Sequence, residues 1–199
     1  MSLLLETLQI LDGKIPHLLL HQKRLNQSRK ILFGCSDEIS LSEVLKDHLP
    51  YEMGNYKCRI CYGEKIEKIE FSHYSPKKIE SFYLVDAPKI DYQFKYANRE
   101  IFDSLLAYCP ADEILILQNG YLSDVSFANL LFFDNSAWFT PKNPLLKGIQ
   151  RQHLLENGKI SELEIHQNDL KNFSEFKLIN AMLPFEVAPS YTLDQIINL

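Results

Sequence analysis

The 199-residue sequence lacks the features that mark several special classes of protein. No apolar run approaches the roughly 20 residues of a membrane-spanning helix, so no membrane partner is expected. There is no long basic run and the net charge is −5, which argues against a nucleic-acid partner. No internal repeat or low-complexity segment is present. The remaining composition is that of a globular protein, long enough for one large domain or two small ones.

Cysteine is scarce, and the first residues carry no basic leader. Of the four cysteines, only Cys58 and Cys61 are spaced like metal ligands, and no second Cys/His pair complements them. Their neighbours have the pattern of a strand, so we interpret them as buried, reduced thiols and expect no metal site. Residues 1–6 do not resemble a signal peptide, and a cytoplasmic location is expected.

The hydrophobic pattern predicts an α+β chain in two parts. Residues 1–86 form a small N-terminal α/β domain, 87–95 a linker, and 96–199 a larger β-rich domain. Asn119-Gly120 predicts a hairpin turn, and Gly34 is expected to end a helix. Helices are predicted over about 16–33, 40–49, 96–108 and 148–156, with a short one capped by Asn168 or Asp169. Strands are predicted over 6–11, 56–62, 66–74, 82–86, 113–117, 122–125, 129–134, 138–140, 162–166, 176–179 and 185–187.

Four short stretches contain side chains that could work together on one ligand. Lys95 supplies an amine that can form a Schiff base, and Asp124 a carboxylate that can hold a protonated ring nitrogen. Arg24 and a helix start at Gly148 can hold a phosphate. These are the groups that a pyridoxal phosphate site needs. The stretches are residues 18–25, 94–99, 122–130 and 147–151.

In this order the stretches resemble the class IV aminotransferases, the fold type IV pyridoxal-phosphate enzymes. That family includes branched-chain and D-amino-acid aminotransferases and 4-amino-4-deoxychorismate lyase. The resemblance runs from about Glu6 to Pro189 and includes residues 178–184, which are similar to the last active-site phrase of the lyase. It implies a shortened two-domain fold like that of D-amino-acid aminotransferase, an active site between the domains, and a homodimer.

The resemblance also implies a role for each matching residue. Lys95 is implied as the catalytic residue that holds pyridoxal 5'-phosphate as a Schiff base and moves protons. Asp124 stands beside the ring nitrogen, where the family usually has glutamate. Arg24 and the helix start hold the phosphate, and Asn129 has a structural role. The implied cofactor-binding residues are Arg24, Lys95, Asp124, Gly148, Ile149, Gln150, Asn180 and Ala181.

More than one function remains open for a small-molecule amino substrate. The leading hypothesis is aminodeoxychorismate lyase, which releases pyruvate and leaves 4-aminobenzoate for folate synthesis, because residues 127–129 and 180–184 resemble the lyase. The alternative is a branched-chain or D-amino-acid aminotransferase, since only the substrate pocket separates the two. A third is a non-catalytic relative, suggested by Asp124 and by a missing glycine-rich N-terminal phrase. A hydrolase built on scattered histidines has little support.

Overall fold

The computed structural model describes residues 2–50 and 52–199, which fall into two compact units. The first unit takes in the chain up to Ser75 together with Phe94–Asn98. The second unit consists of Pro76–Gln93 and Arg99–Leu199. This division differs from the sequence-based one: residues 76–93 belong to the second unit, and residues 94–98, which include Lys95, belong to the first.

The first unit is a three-stranded antiparallel sheet with two helices. Its strands follow the order β1-β2-β3. Alternate residues of β1 point into the core, as the period of two predicts for a strand. Leu4, Leu8 and Ile10 are thereby buried against Leu25 of the first helix. The elements are β1 (Leu4–Leu11), α1 (Leu18–Phe33), α2 (Leu41–Leu45), β2 (Asn55–Tyr62) and β3 (Ile66–His73).

Local signals set the helix ends in this unit. Gly34 ends α1 in the left-handed conformation, with φ of +70°, and its N–H bonds back to the last turn. The predicted N-cap of α2 is also confirmed, because the side chain of Ser40 accepts a hydrogen bond from the N–H of Glu43. α2 is nevertheless only five residues long and ends at Leu45, before the predicted end at residue 49.

The second unit is built on an eight-stranded, mostly antiparallel sheet. Six strands follow the order β11-β10-β7-β6-β5-β4, while β8 pairs with β7 and β9 pairs with β8. The predicted turn at Asn119-Gly120 is confirmed, because both residues have positive φ. The elements are β4 (Phe82–Asp86), α3 (Glu100–Ala107), β5 (Glu113–Gln118), β6 (Tyr121–Val125), β7 (Asn129–Phe133), β8 (Trp138–Pro141), α4 (Ile149–Glu156), β9 (Ser161–Leu163), β10 (Glu175–Ile179) and β11 (Ser190–Tyr191).

The core of the second unit is apolar and partly aromatic. Phe82, Phe132 and Phe176 are fully buried and lie on three different strands of the sheet. The rings of Phe82 and Phe176 meet edge to face with centroids 4.9 Å apart, a favoured arrangement. Among the residues that the structure describes, no helix combines the length and apolar character needed to cross a membrane.

The helix predicted over 96–108 begins only at Glu100. The residues expected in its first turn pair with β1 instead. Tyr96 forms an antiparallel bridge with Leu4, and the N–H of Ala97 donates to the carbonyl of Leu3 at 2.8 Å. These residues therefore extend along β1 instead of entering the helix.

The strand predicted at 185–187 is wrong, because these residues form a turn. The N–H groups of Val187 and Ala188 both donate to the carbonyl of Pro184, at 3.1 and 3.0 Å. Local bonding after a proline thus replaces strand pairing.

The prediction of a short helix near residue 168 is confirmed in part. A 3₁₀ helix spans Gln167–Asn172, but its N-cap is His166 and not Asn168 or Asp169. The imidazole of His166 accepts from the N–H of Asn168, and the carboxylate of Asp169 accepts from the N–H of His166. The strand predicted over 162–166 spans only Ser161–Leu163.

Candidate active site

The predicted site residues lie in both units, and in each unit neighbouring residues hold them in position. Lys95 belongs to the first unit, on the short extended segment that pairs with β1. Its carbonyl accepts a hydrogen bond from the N–H of Leu5 at 2.8 Å, and the following residue, Tyr96, bridges to Leu4. The lysine is half-buried. Sheet pairing therefore fixes the backbone from which its amine extends.

Arg24 lies on α1 in the same unit and is held by a carboxylate, that of Glu6 on β1. Its Nε donates to Oε1 of Glu6 and its Nη2 to Oε2, both at 2.7 Å. The imidazole of His21, one turn earlier on the helix, bonds to Oε2 through Nδ1, also at 2.7 Å. Glu6 and His21 are fully buried, whereas the Arg24 side chain is 17% exposed. The guanidinium is thus fixed in plane by a two-point contact.

The charges of this cluster follow from its burial and its contacts. Burial acts to raise the pKa of Glu6, but the charge of Arg24 and the bonds from His21 and Arg24 outweigh it and lower this pKa to about 2. The pKa of His21 is lowered, chiefly by burial, and the charges of Arg24 and Lys95 lower it further. Glu6 is therefore ionised and His21 neutral at neutral pH.

The ionised partner also decides the tautomer of His21. A carboxylate can only accept, so Nδ1 of the neutral ring carries the proton and Nε2 carries a lone pair. Within residues 2–50 and 52–199, Nε2 of His21 is the one buried side-chain nitrogen or oxygen with no hydrogen-bond partner. The cluster is therefore one hydrogen-bond donor short.

In the second unit, Asp124 lies near the end of β6 opposite Asn129, the first residue of β7. It is only 4% exposed. Its Oδ1 accepts from Nδ2 of Asn129 at 2.7 Å, and its Oδ2 from the N–H of Leu146 at 2.9 Å. Burial raises its pKa to about 7, although these two bonds and the charge of Arg151 act in the opposite direction. Nδ2 of Asn129 also donates to the carbonyl of Leu146 at 2.8 Å, so this side chain connects Asp124 to the segment around Leu146.

The carboxylate of Asp124 forms no salt bridge with a lysine, arginine or histidine in the part of the chain that the structure describes. An ionised carboxylate in such surroundings is unfavourable unless a positive group accompanies it. The site in this unit is therefore suited to a cationic ligand atom.

Gly148 is the N-cap of α4, and Ile149 and Gln150 are the first residues of that helix. The backbone of Gly148, with φ of −70° and ψ of 151°, is open to any residue. Space is what requires glycine here: a Cβ would lie 2.0 Å from Oδ1 of Asn129. The asparagine that holds Asp124 therefore also packs against the start of the helix.

Arg151, one residue further along α4, is occupied by the protein. It is 3% exposed, and its guanidinium donates to Oγ1 of Thr140, the carbonyl of Pro141 and the carboxylate of Glu162. It ties α4 to β8 and β9. These contacts give Arg151 a structural role in this chain.

Asn180 and Ala181 lie in a tight turn directly after β10. The backbones of Asn180 and Leu183 bond to each other in both directions, at 3.2 and 3.1 Å. The side chain of Asn180 accepts from the N–H of Met182 and donates to the carbonyl of Phe127, in the turn between Asp124 and Asn129. Because Ile179 pairs with Asn129, this turn lies at the same end of the sheet as Asp124.

The structure thus brings the predicted residues together in two sets. Lys95 and Arg24 lie in the first unit, and Asp124, the α4 start and the Asn180 turn lie in the second. Sequence reasoning missed Glu6, which was treated only as part of a strand. A signal was available, because Glu6 falls in the inward register with Leu4, Leu8 and Ile10, where a charge is out of place.

Comparison with known proteins identifies the family of this chain. The sequence matches the amino-transferase class IV family over residues 3–188. An uncharacterized protein of Haemophilus influenzae is 39% identical over 182 residues, which cover 90% of this chain and 97% of that protein. A structure described as a candidate 4-amino-4-deoxychorismate lyase from Haemophilus somnus is 33% identical with a TM-score of 0.85, covering 91% of this chain and 96% of that one.

A more distant structure shares the fold alone. A hypothetical aminotransferase from Mycobacterium tuberculosis in its PLP-bound form has a TM-score of 0.75 at 17% identity, covering 95% of this chain and 80% of that one. The predicted fold class, a shortened fold type IV architecture, is confirmed by these likenesses. The chain belongs to the class IV aminotransferase family.

Proposed function

We propose that this chain binds pyridoxal 5'-phosphate and uses it on a small amino substrate. The observation that carries the proposal is Asp124, a buried carboxylate with a pKa raised to about 7 and no salt bridge within the described residues. A protonated ring nitrogen is the cation that suits such a carboxylate, because charge pairing offsets the unfavourable burial. The residues present therefore fit the cofactor.

Asp124 would hold that ring nitrogen in a fixed position. Its two oxygens already accept one bond each from Asn129 and Leu146, and a carboxylate oxygen accepts more than one. The cofactor supplies an electron sink for bond breaking at the substrate α-carbon. By keeping the ring nitrogen protonated, Asp124 would maintain that sink. The shorter aspartate, in place of the glutamate usual in the family, has its position set by two hydrogen bonds.

The phosphate would be held by backbone N–H groups and by one guanidinium. The first N–H groups of α4, at Ile149 and Gln150, have no partner inside the helix, and the helix start carries a partial positive charge. Gly148 lets the chain pass close to Asn129 at this point. We assign Arg24 as the guanidinium, and the Asn180–Ala181 turn as a further lining element.

Lys95 is the residue that we assign as catalytic. Its amine would attach the cofactor and, when released by the substrate, carry protons to and from the substrate carbon. Removal of the amine should therefore abolish turnover without unfolding the chain, since the backbone bonds of Lys95 do not depend on its side chain.

We propose aminodeoxychorismate lyase as the reaction, with pyruvate and 4-aminobenzoate as products. The support is the similarity of residues 127–129 and 180–184 to the lyase, together with the Haemophilus somnus structure described as a candidate lyase. The test supplies aminodeoxychorismate and measures pyruvate with lactate dehydrogenase and 4-aminobenzoate by fluorescence. Equal amounts of both, absent with Lys95→Ala, are expected. No pyruvate from the wild-type protein would rule out the lyase.

An aminotransferase is the second candidate, because the family itself is named for that reaction. To distinguish it from the lyase, the protein is given a branched-chain or a D-amino acid and the products are measured. Conversion of bound cofactor to its amine form, reversed by a keto acid, would establish this reaction. The homodimer implied by the family resemblance remains a prediction, which light scattering at micromolar concentration can check.

A further inference from the structure

Glu6 is a charged residue at a core position. It has no exposed surface and occupies the inward register of β1 between Leu4 and Leu8. A carboxylate buried this completely is unfavourable unless other groups satisfy its charge and its lone pairs. An apolar residue would fill the same position without that requirement. The carboxylate must therefore do something that packing alone does not.

What Glu6 does in the structure is to hold one cation. It receives Nε and Nη2 of Arg24 side by side, so the guanidinium plane and the direction of its third nitrogen, Nη1, are both set. An unsupported arginine side chain has four rotatable bonds to fix when it binds an anion. A guanidinium already fixed loses less conformational entropy on binding.

A second observation indicates that this cluster serves a ligand. Glu6 fixes His21 as the tautomer with a lone pair on Nε2, and that buried atom has no partner within the described residues. Buried acceptors in native proteins are nearly always satisfied. A bound group that carries a donor would complete the cluster, and Lys95 belongs to the same compact unit.

We infer that Glu6 is a positioning residue, which acts through Arg24 to orient the guanidinium toward the phosphate of a phosphorylated pyridoxal ligand. The inference rests on the proposed function, since it takes Arg24 as the phosphate ligand. Glu6 itself does not contact the ligand. Its negative charge would repel a phosphate, so its net effect is favourable only if the ordering of Arg24 outweighs that repulsion.

The experiment compares two ligands that differ only in the phosphate. Dissociation constants of pyridoxal phosphate and of pyridoxal are measured by absorbance for the wild type, Glu6→Gln and Asp37→Asn. The last is a matched control, because Asp37 pairs with Arg29, a buried arginine on the same helix. In Glu6→Gln we expect the preference for the phosphorylated ligand to fall about tenfold or more, as for loss of a charged hydrogen bond. In Asp37→Asn it should not change.

The outcomes separate the inference from the proposed function. If the wild type shows no preference for pyridoxal phosphate, the proposed phosphate site fails and the inference fails with it. If the wild type shows the preference and Glu6→Gln retains or increases it, the inference alone is overturned. If Glu6 had a purely structural role, Glu6→Gln would weaken the binding of both ligands equally. That result would also overturn the inference.

A second pair of variants keeps the test decisive if Glu6→Gln does not fold. Glu6→Asp keeps the charge but withdraws the carboxylate by one methylene, which breaks the two-point contact with Arg24. The preference should again fall. In the Arg24→Gln background the further change Glu6→Asp should have no effect on the preference, and an additional loss there would show that Glu6 does not act through Arg24.

Discussion

Replacement of Gly148 by alanine should destabilise the second unit through a single collision. The added Cβ would lie 2.0 Å from Oδ1 of Asn129 and 3.2 Å from its Cγ, while the backbone of Gly148 tolerates any residue. Asn129 is 5% exposed and cannot turn away freely, because its Nδ2 is bonded to Asp124 and to the carbonyl of Leu146. Relief of the collision therefore breaks these bonds.

The magnitude follows from the groups that would lose their partners. Each of the two bonds contributes about 1 kcal/mol net, and a buried acceptor left without a donor adds about 1–3 kcal/mol. Gly148→Ala should therefore lower the free energy of unfolding by roughly 3–5 kcal/mol, which for a chain of this length lowers Tm by roughly 6–20 °C.

The chain offers a convenient reporter and a matched control. Its one tryptophan, Trp138, lies on β8 of the second unit, so tryptophan fluorescence during denaturation follows the unit that contains Gly148. Gly63→Ala is the control for an added methyl group in the first unit and is followed by far-UV circular dichroism, because a Cβ there meets only the side chain of Leu3, at 3.5 Å, and the side chain of Phe33. It should leave stability unchanged within about 0.5 kcal/mol.

A double-mutant cycle tests the cause directly. In the Asn129→Ala background the colliding atom is gone, so the further change Gly148→Ala should cost less than about 0.5 kcal/mol. If Gly148→Ala costs as much there as in the wild type, the collision with Asn129 is not the cause and the reasoning is refuted.

Three further predictions concern charge. Because the pKa of Asp124 is raised to about 7, its contribution to stability is present below pH 4 and is lost as pH rises to 7. About 3 kcal/mol of that loss falls between pH 5 and 8, so Asp124→Asn should reduce the difference in unfolding free energy between these two pH values by up to about 3 kcal/mol. The pKa of Glu6 is lowered to about 2, so its contribution to stability is present above pH 4.5 and is lost as pH falls toward 2. In Glu6→Gln the free energy of unfolding should therefore fall by about 3 kcal/mol less over this pH range than in the wild type. An unchanged midpoint of acid denaturation would contradict this. Lys177→Met should lower the free energy of unfolding by about 1–2 kcal/mol, because Nζ of Lys177 donates a hydrogen bond to the carbonyl of Ala188. It should also shift the fluorescence emission of Trp138, because the same Nζ lies 5.6 Å from the indole centroid. An unaltered emission spectrum would refute this prediction.

Elements with a strong local signal could be predicted from the sequence. β4 was placed over Phe82–Asp86 as observed, and the turn at Asn119-Gly120 and the end of α1 at Gly34 follow from backbone conformations that these residues favour. Gly148 was likewise expected at the start of α4. At the Asn119-Gly120 turn and at the end of α1, neighbouring residues alone decide the structure.

Features that depend on distant partners could not be predicted in this way. The residues after Lys95 have a helical pattern, but they pair with β1, some 90 positions earlier in the chain. The same holds for the candidate site. The family resemblance pointed to Arg24, yet the carboxylate that holds it lies on another element, and only the fold brings Glu6 and Arg24 together.

The burial of Asp124 is a further example. Only the packing of the segment around Leu146 and of Asn129 against it shows that it is buried with no salt bridge in the described part of the chain. A raised pKa is a property of those surroundings, and a sequence pattern does not contain it.

The most direct test of the central claim is cofactor attachment at Lys95. Pyridoxal phosphate is added to the purified protein, the visible absorption spectrum is recorded, and borohydride is added before peptide mass spectrometry. A Schiff base at Lys95 should give an absorption band that borohydride removes, with the reduced cofactor on the peptide that contains Lys95 and no such product in Lys95→Ala. No band in the wild type, or an undiminished one in Lys95→Ala, would contradict the account.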